Sequence, residues 1–194
     1  MFTREGRSFL RGLARNPSGV GAITPSSAGL ARRMLAGIDL SGGGAVLELG
    51  PGTGPITREI SLRISEPSCY LGVERDGHFA QLLSERFPNL RFVNGSAESA
   101  ADHVRDAGMT GLKAIISGLP FATLPNGVQD RILDSVEALM TPGVVFRTFQ
   151  YLHALPLPKA RRFRRRMRER FGGGTMSRPV LLNLPPAVVL SWER

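Results

Sequence analysis

Short apolar runs alternate with stretches of helical period along most of this chain. Residues 45–49, 69–74, 90–94, 112–117 and 144–151 are apolar runs of strand length. Between them, residues 53–64, 77–87, 98–106 and 127–140 read as helices. The third is poorly periodic, and the fourth is bounded by Pro125 and Pro142. Strands alternating with helices at this spacing predict a parallel sheet covered on both faces. Right-handed crossovers then place a ligand outside the carboxyl ends of the strands. Ahead of this pattern, residues 2–15 form an amphipathic helix at about 100° per residue. Phe2, Phe9, Leu10 and Leu13 share one face, and Arg4, Arg7, Arg11 and Arg15 the other. Asn16-Pro17-Ser18-Gly19 breaks that helix, and Pro25-Ser26-Ser27 caps another running to about residue 37. Beyond Tyr151 the pattern changes. Residues 153–158 read as a loop or short hairpin, and Gly172-Gly173-Gly174 ends a basic stretch. Short strands at 176–182 and 187–192 then close the chain around Asn183-Leu184-Pro185-Pro186.

With 194 residues, 42% hydrophobic and 21% charged, the chain suits one well-buried α/β domain. The expected division is a helix at 1–16 and a domain at 17–194. A net charge of +9 favours an anionic partner, nucleic acid or an acidic lipid surface, without choosing between them. The single Cys69 excludes an internal disulfide and suits a reducing compartment. No apolar stretch approaches the roughly twenty residues of a spanning helix, and the arginine-studded start does not read as a signal peptide. A cytoplasmic protein is expected. The helix at 2–15 suits a membrane interface; the bland alternative is a helix packed on the domain with a solvated arginine face. The basic cluster at 159–170 carries eight Lys and Arg against Glu169 alone. It too reads either as a solvated helix face or as a surface for anionic lipid or RNA.

Candidate chemistry centres on Glu48-Leu49-Gly50-Pro51-Gly52-Thr53-Gly54, where a strand ends in an acid and a glycine-rich turn. Glycines allow the tight turn and a close backbone approach to a ligand. Tyr70-Leu71-Gly72-Val73-Glu74 is a second strand ending in a carboxylate, about twenty residues after Gly54. Nucleotide folds place the acid that binds ribose hydroxyls there. The turn has neither the Lys-Ser/Thr of a P-loop nor the dinucleotide spacing. It resembles the first motif of S-adenosylmethionine (SAM)-dependent methyltransferases, whose backbone amides meet a carboxylate rather than a pyrophosphate.

Four stretches together resemble the membrane-associated bacterial phospholipid N-methyltransferases, which convert phosphatidylethanolamine towards phosphatidylcholine. They are Gly21-Ala22-Ile23-Thr24-Pro25-Ser26-Ser27, the glycine turn, Ser117-Gly118-Leu119-Pro120 and Asn183-Leu184-Pro185-Pro186. The resemblance implies a Rossmann-like class I fold with a seven-stranded, mostly parallel sheet. It also implies an N-terminal helix (Phe2, Arg4, Arg7, Phe9, Leu10, Arg11, Leu13) peripheral on the inner face of the cytoplasmic membrane. The related ribosomal RNA adenine dimethylases carry Asn-Leu-Pro-Tyr after the fourth strand, where the asparagine accepts from the adenine amino group. Here Gly118 stands in that place and supplies no acceptor, which disfavours RNA. An RNA adenine methyltransferase stays the alternative, and a non-catalytic SAM- or membrane-binding protein the second.

By the same resemblance Gly50, Gly52 and Gly54, with Thr53, lie under the methionine part of SAM. Glu48 reaches its amino group, Glu74 its ribose hydroxyls, and Arg75 lies along the adenine. Ser96 and Ala97 stand at the adenine contact, with Ser26, Ser27 and Ser117 completing the pocket. Methyl transfer from a sulfonium is an in-line displacement that needs alignment and a neutral amine, but no metal. The other product is S-adenosylhomocysteine. Tyr151 and His153 are the candidate bases or orienters. Gly118, Leu119, Pro120, Phe121 and Phe149 would line the acceptor side, where Phe121, Phe149 and Tyr151 could surround a methylated ammonium. Arg147 is a candidate partner for the lipid phosphate.

Overall fold

The structure, a computed structural model, describes residues 27–194. Ser26, the helix at 2–15 and its membrane-facing residues lie outside the described residues, as does the boundary at 16/17. In chain order the elements are α1 (Ala28–Leu35), β1 (Ala45–Leu49), α2 (Pro55–Ser61), β2 (Tyr70–Glu74), α3 (Gly77–Arg86) and β3 (Arg91–Asn94). There follow α4 (Ala100–Asp106), β4 (Leu112–Ser117), α5 (Asn126–Leu139), β5 (Val145–Tyr151), α6 (Pro158–Phe171), β6 (Thr175–Met176) and β7 (Ala187–Glu193).

The strands form one seven-stranded sheet in the order β3-β2-β1-β4-β5-β7-β6. The first five are parallel. β7 runs antiparallel to β5 along its whole length, from Val145↔Glu193 to Tyr151↔Ala187. The chain order reverses between β1 and β4, so the carboxyl ends of β1, β2 and β4 meet at a topological switch point. β1 is buried throughout, and its alternation divides the core. Leu47 and Leu49 face a cluster with Val104 of α4, Leu133 of α5 and Phe163 of α6. Val46 faces the other cluster, with Leu30 of α1 and Ile56 and Ile60 of α2. Helices therefore cover both faces, as the alternating pattern predicts.

Several expectations are corrected. Residues 176–182 do not form a strand: β6 ends at Met176, Pro179 interrupts the ladder, and only an isolated bridge, Val180↔Ala187, follows. The loop at 153–158 opens as a 3-10 turn, Leu152–Ala154. The basic cluster is one helix, α6, whose Ala160, Phe163 and Met167 are fully buried. Phe163 stacks on Phe121 with ring centroids 4.5 Å apart and meets Trp192 edge-on. α6 is thus a core element with a charged outer face.

Candidate cofactor and acceptor site

The glycine turn sits where β1 stops. Gly50, Gly52 and Gly54 all adopt left-handed conformations, with φ of 69°, 60° and 80°. The Gly50 amide donates to Val73 O and the Gly118 amide to Leu49 O, tying the turn to β2 and to the loop after β4. A Cβ on Gly118 would stand 2.6 Å from Gly50 O. The glycine that reads from sequence as a missing acceptor is also required by this backbone contact.

Two carboxylates flank the turn. Glu48 is completely buried on β1. Its Oε2 accepts from Tyr70 Oη at 2.6 Å and from Thr57 Oγ1 at 2.8 Å, while Oε1 has no partner among the described residues. Glu48 pairs in register with Gly72, and the Tyr70 ring crosses Gly72 to reach it: a Cβ there would stand 2.6 Å from the hydroxyl. Burial pushes the Glu48 carboxyl up to about 7, against the two donors that pull it down. The Glu74 carboxylate, at the end of β2, takes the Gly52 amide on Oε2 and the Asp76 amide on Oε1, both at 2.9 Å. Burial raises its pKa as well, again opposed by these donors.

The carboxyl edge also gathers Thr53, Arg75, Ser96, Ser117, Leu119, Pro120 and Tyr151, all at or just beyond strand ends. Ser27 caps α1, its Oγ accepting from the Leu30 amide at 3.1 Å. Ser96 likewise caps the 3-10 turn Ala97–Ser99, and Ala97 is core. Ser117 is buried and its Oγ accepts from the Leu119 amide. Arg75 is exposed. Tyr151 Oη is buried without a partner among the described residues, and burial pushes its pKa up to about 12. His153 is exposed and stacks on the Tyr151 ring at 5.7 Å.

Three expected site residues are engaged otherwise than the sequence suggests, although Phe149 still meets Tyr151 edge-on with ring centroids 5.5 Å apart. Arg147 belongs to the early part of β5, away from the carboxyl edge. Its guanidinium donates to Met34 O at 3.0 Å, Ala36 O at 2.7 Å and Ser191 Oγ at 3.1 Å, closing the end of α1. These bonds occupy the guanidinium that the sequence reading offers to a lipid phosphate. Phe121 and Phe149 are 2% and 7% exposed, packed in opposite core clusters, so they do not surround an acceptor together. Tyr70, Thr57, Asn94 and Asn183 make bonds around the site that sequence reasoning does not assign, although Asn94 and Asn183 belong to stretches it singles out. Asn94 Nδ2 donates to Glu74 O and Arg75 O, and Asn183, 1% exposed, accepts from the Ser27 amide at 2.8 Å. A polar residue beside each motif is the only signal for them.

The donor set suits SAM. Glu48 Oε1 is a buried acceptor awaiting a donor, as an ammonium would supply. Each Glu74 oxygen accepts one amide, leaving capacity for a pair of hydroxyls. Space is open around Gly52, where a Cβ would meet nothing within 4 Å. A seven-stranded sheet with one antiparallel strand, a glycine turn after β1 and an acid ending β2 define a class I SAM-dependent methyltransferase. The chain is 30% identical over 160 residues, 81% of its length, to the ornithine lipid N-methyltransferase of Singulisphaera acidiphila, covering 82% of that protein. It belongs to that family of lipid methyltransferases. No family model matches the chain.

Solved structures agree on the fold. A TehB-like SAM-dependent methyltransferase from Corynebacterium glutamicum is 15% identical with a TM-score of 0.62, over 98% of this chain and 97% of that one. Fibrillarin from Aeropyrum pernix, solved with natively bound SAM, is 14% identical with a TM-score of 0.59, over 85% and 72%. The 23S rRNA methyltransferase ErmE is 20% identical with a TM-score of 0.54, over 85% and 67%. The cofactor is SAM, and the described residues hold no cluster of metal-ligating side chains.

Proposed function

We propose that this enzyme N-methylates the primary amine of a membrane lipid headgroup, with ornithine lipid the first acceptor and phosphatidylethanolamine the second. The observation that carries the reading is Gly118 pressed against Gly50 O. The loop that meets the acceptor has a bare backbone where an aromatic amine would need a side-chain acceptor, and an aliphatic amine needs none. Ornithine lipid comes first because the 30% identical relative is named for it, and because Arg147, the expected phosphate partner, is committed to α1. The four sequence motifs keep phosphatidylethanolamine as the second reading.

Bound SAM supplies an electrophilic methyl group. The chain has to hold it, exclude water and receive an amine that has lost its proton. Glu48 and Glu74 offer acceptors to the two ends of the cofactor, and the Gly118–Leu119 backbone closes one wall. Tyr151 at a pKa of about 12 is a neutral phenol at physiological pH. Its role is therefore to orient the amine through a hydrogen bond, with the proton leaving to solvent. Turnover with labelled SAM tests the reading, with vesicles of ornithine lipid, vesicles of phosphatidylethanolamine and ribosomal RNA as separate acceptors. Label in either lipid supports it and ranks the two. Label in RNA alone overturns it.

A further inference from the structure

The loop between β6 and β7 is built inside out for a soluble protein. Its polar Asn183 is buried, while Leu181, Leu182 and Leu184 around it are 67%, 92% and 72% exposed. Asn183 fixes this orientation: Oδ1 accepts from the Ser27 amide and Nδ2 donates to Pro185 O. The Val180–Ala187 bridge closes the base of the loop. A single exposed leucine is ordinary, but three held outward on one anchored tip are a patch. Leu157, 49% exposed, lies on the adjoining loop, which the Leu152 amide joins to Pro186 O at 2.8 Å.

Charge around the patch has one sign. Arg178 precedes the leucines, and Lys159, Arg161 and Arg162 open α6 beside Leu157. All four are exposed and form no ion pair among the described residues. From 151 to 186 the only acid is Glu169, which pairs with Arg165. The patch also stands at the acceptor end of the site, since Ala187 is in register with Tyr151 and Val180 packs in the same cluster as that tyrosine. Residues 1–26 join the described chain here, through Ser27 on Asn183.

We infer that Leu181, Leu182 and Leu184 insert into the leaflet of an anionic bilayer, with Arg178, Lys159, Arg161 and Arg162 at the lipid phosphates, so that the acceptor mouth at Tyr151 opens onto the membrane. Apolar tips inside a basic rim are the composition that binds such an interface. The inference rests on the acceptor being a membrane lipid and specifies the face through which it arrives.

The full chain carrying Leu182→Trp tests insertion directly. Its emission should shift to the blue on phosphatidylcholine vesicles containing phosphatidylglycerol, and much less on phosphatidylcholine alone. The native Trp192, 5% exposed, provides the constant background, read from the parent protein. L181S/L182S/L184S should lose at least about tenfold in affinity for the anionic vesicles, with SAM affinity and melting temperature unchanged. Vesicle binding equal to the parent's, or no shift of the L182W emission while the parent binds, would overturn the inference. Emission already blue in buffer and unmoved by vesicles would overturn it too, since the chain's own first residues or a second copy would then cover the leucines. Insertion with no methyl transfer to any lipid supports the inference and removes the proposed acceptor. Transfer to lipid without insertion does the reverse.

Discussion

The Gly52 amide donates to Glu74 Oε2 at 2.9 Å, tying the middle of the glycine turn to the end of the neighbouring strand. The other carboxylate oxygen takes the Asp76 amide, and Asp76 in turn caps α3 through its own side chain. One side chain thus sets the shape of the glycine turn and, in the proposed reading, offers acceptors to the cofactor. Glu74→Gln should damage both. One oxygen becomes an NH2 group facing a backbone amide, leaving a buried donor unpaired at a cost of about 1–3 kcal/mol. SAM affinity measured by calorimetry should fall by about tenfold or more. Unchanged affinity would separate Glu74 from the site.

Glu48 makes stability depend on pH. Its carboxyl rises from 4.5 to about 7 on folding, chiefly through burial. A raised acid binds its proton more tightly in the folded state. The stability it contributes is complete below about pH 4.5 and is lost as pH rises through 7. Glu48→Gln keeps an acceptor for Tyr70 and Thr57 and removes the titration. Relative to E48Q, the parent should lose on the order of 3 kcal/mol between pH 4.5 and 8.5. Urea unfolding across that range, without SAM, measures the difference; parallel curves would show that Glu48 does not titrate there.

Gly118 has no room for a side chain. Gly118→Ala would set a methyl group 2.6 Å from Gly50 O, and backbone would have to move on one side or the other. Such crowding costs about 1–3 kcal/mol. The variant should melt earlier and bind SAM more weakly, and an asparagine there should not create RNA methylation. An unaltered melting temperature would mean that the two loops part easily.

Arg147→Ala should behave as a stability variant. Its guanidinium satisfies Met34 O and Ala36 O at the end of α1, and hydrogen bonds to charged groups are worth about 1.5–3 kcal/mol. Unfolding by urea should show a loss of that size. The KM for lipid, measured where the variant is folded, should stay within about twofold of the parent's. A selective rise in KM would restore Arg147 to the acceptor site.

Most of the sheet, and the placing of Glu48 and Glu74 beside the glycine turn, are legible in the sequence, because each strand is a compact apolar run and each motif residue stands at a strand end. What escapes depends on neighbours distant in the chain. Glu48 reads as a free ligand until Tyr70 is seen crossing Gly72 to hold it. Arg147 reads as a free cation because its partners are distant in the chain, Met34 and Ala36 at the end of α1 and Ser191 in β7. Phe121 and Phe149 read as a pair by their nearness to motifs, yet they stand in opposite core layers. The buried side of the helix in the basic cluster is hidden by composition: Ala160, Phe163 and Met167 are its whole buried stripe, spread thinly among arginines. The strand expected at 176–182 fails because apolar leucines read as ladder residues, whereas Asn183 turns them outward.

Tyr151 separates orientation from base catalysis. Its hydroxyl is buried, unpaired among the described residues and held at a pKa of about 12, so a phenolate is scarce at neutral pH. A residue that only orients the amine contributes through a neutral hydrogen bond, which Tyr151→Phe removes without changing any charge. The variant should lose about tenfold in kcat with SAM affinity unchanged, since Tyr151 is not among the groups offered to the cofactor. The rise of rate with pH should keep its shape, because it would follow deprotonation of the acceptor amine in both proteins. If Y151F instead moved the midpoint of that rise, Tyr151 would be taking the proton. Substituting exposed His153 by Ala should cost less than Y151F, because among the described residues it meets the site through its stack on the Tyr151 ring.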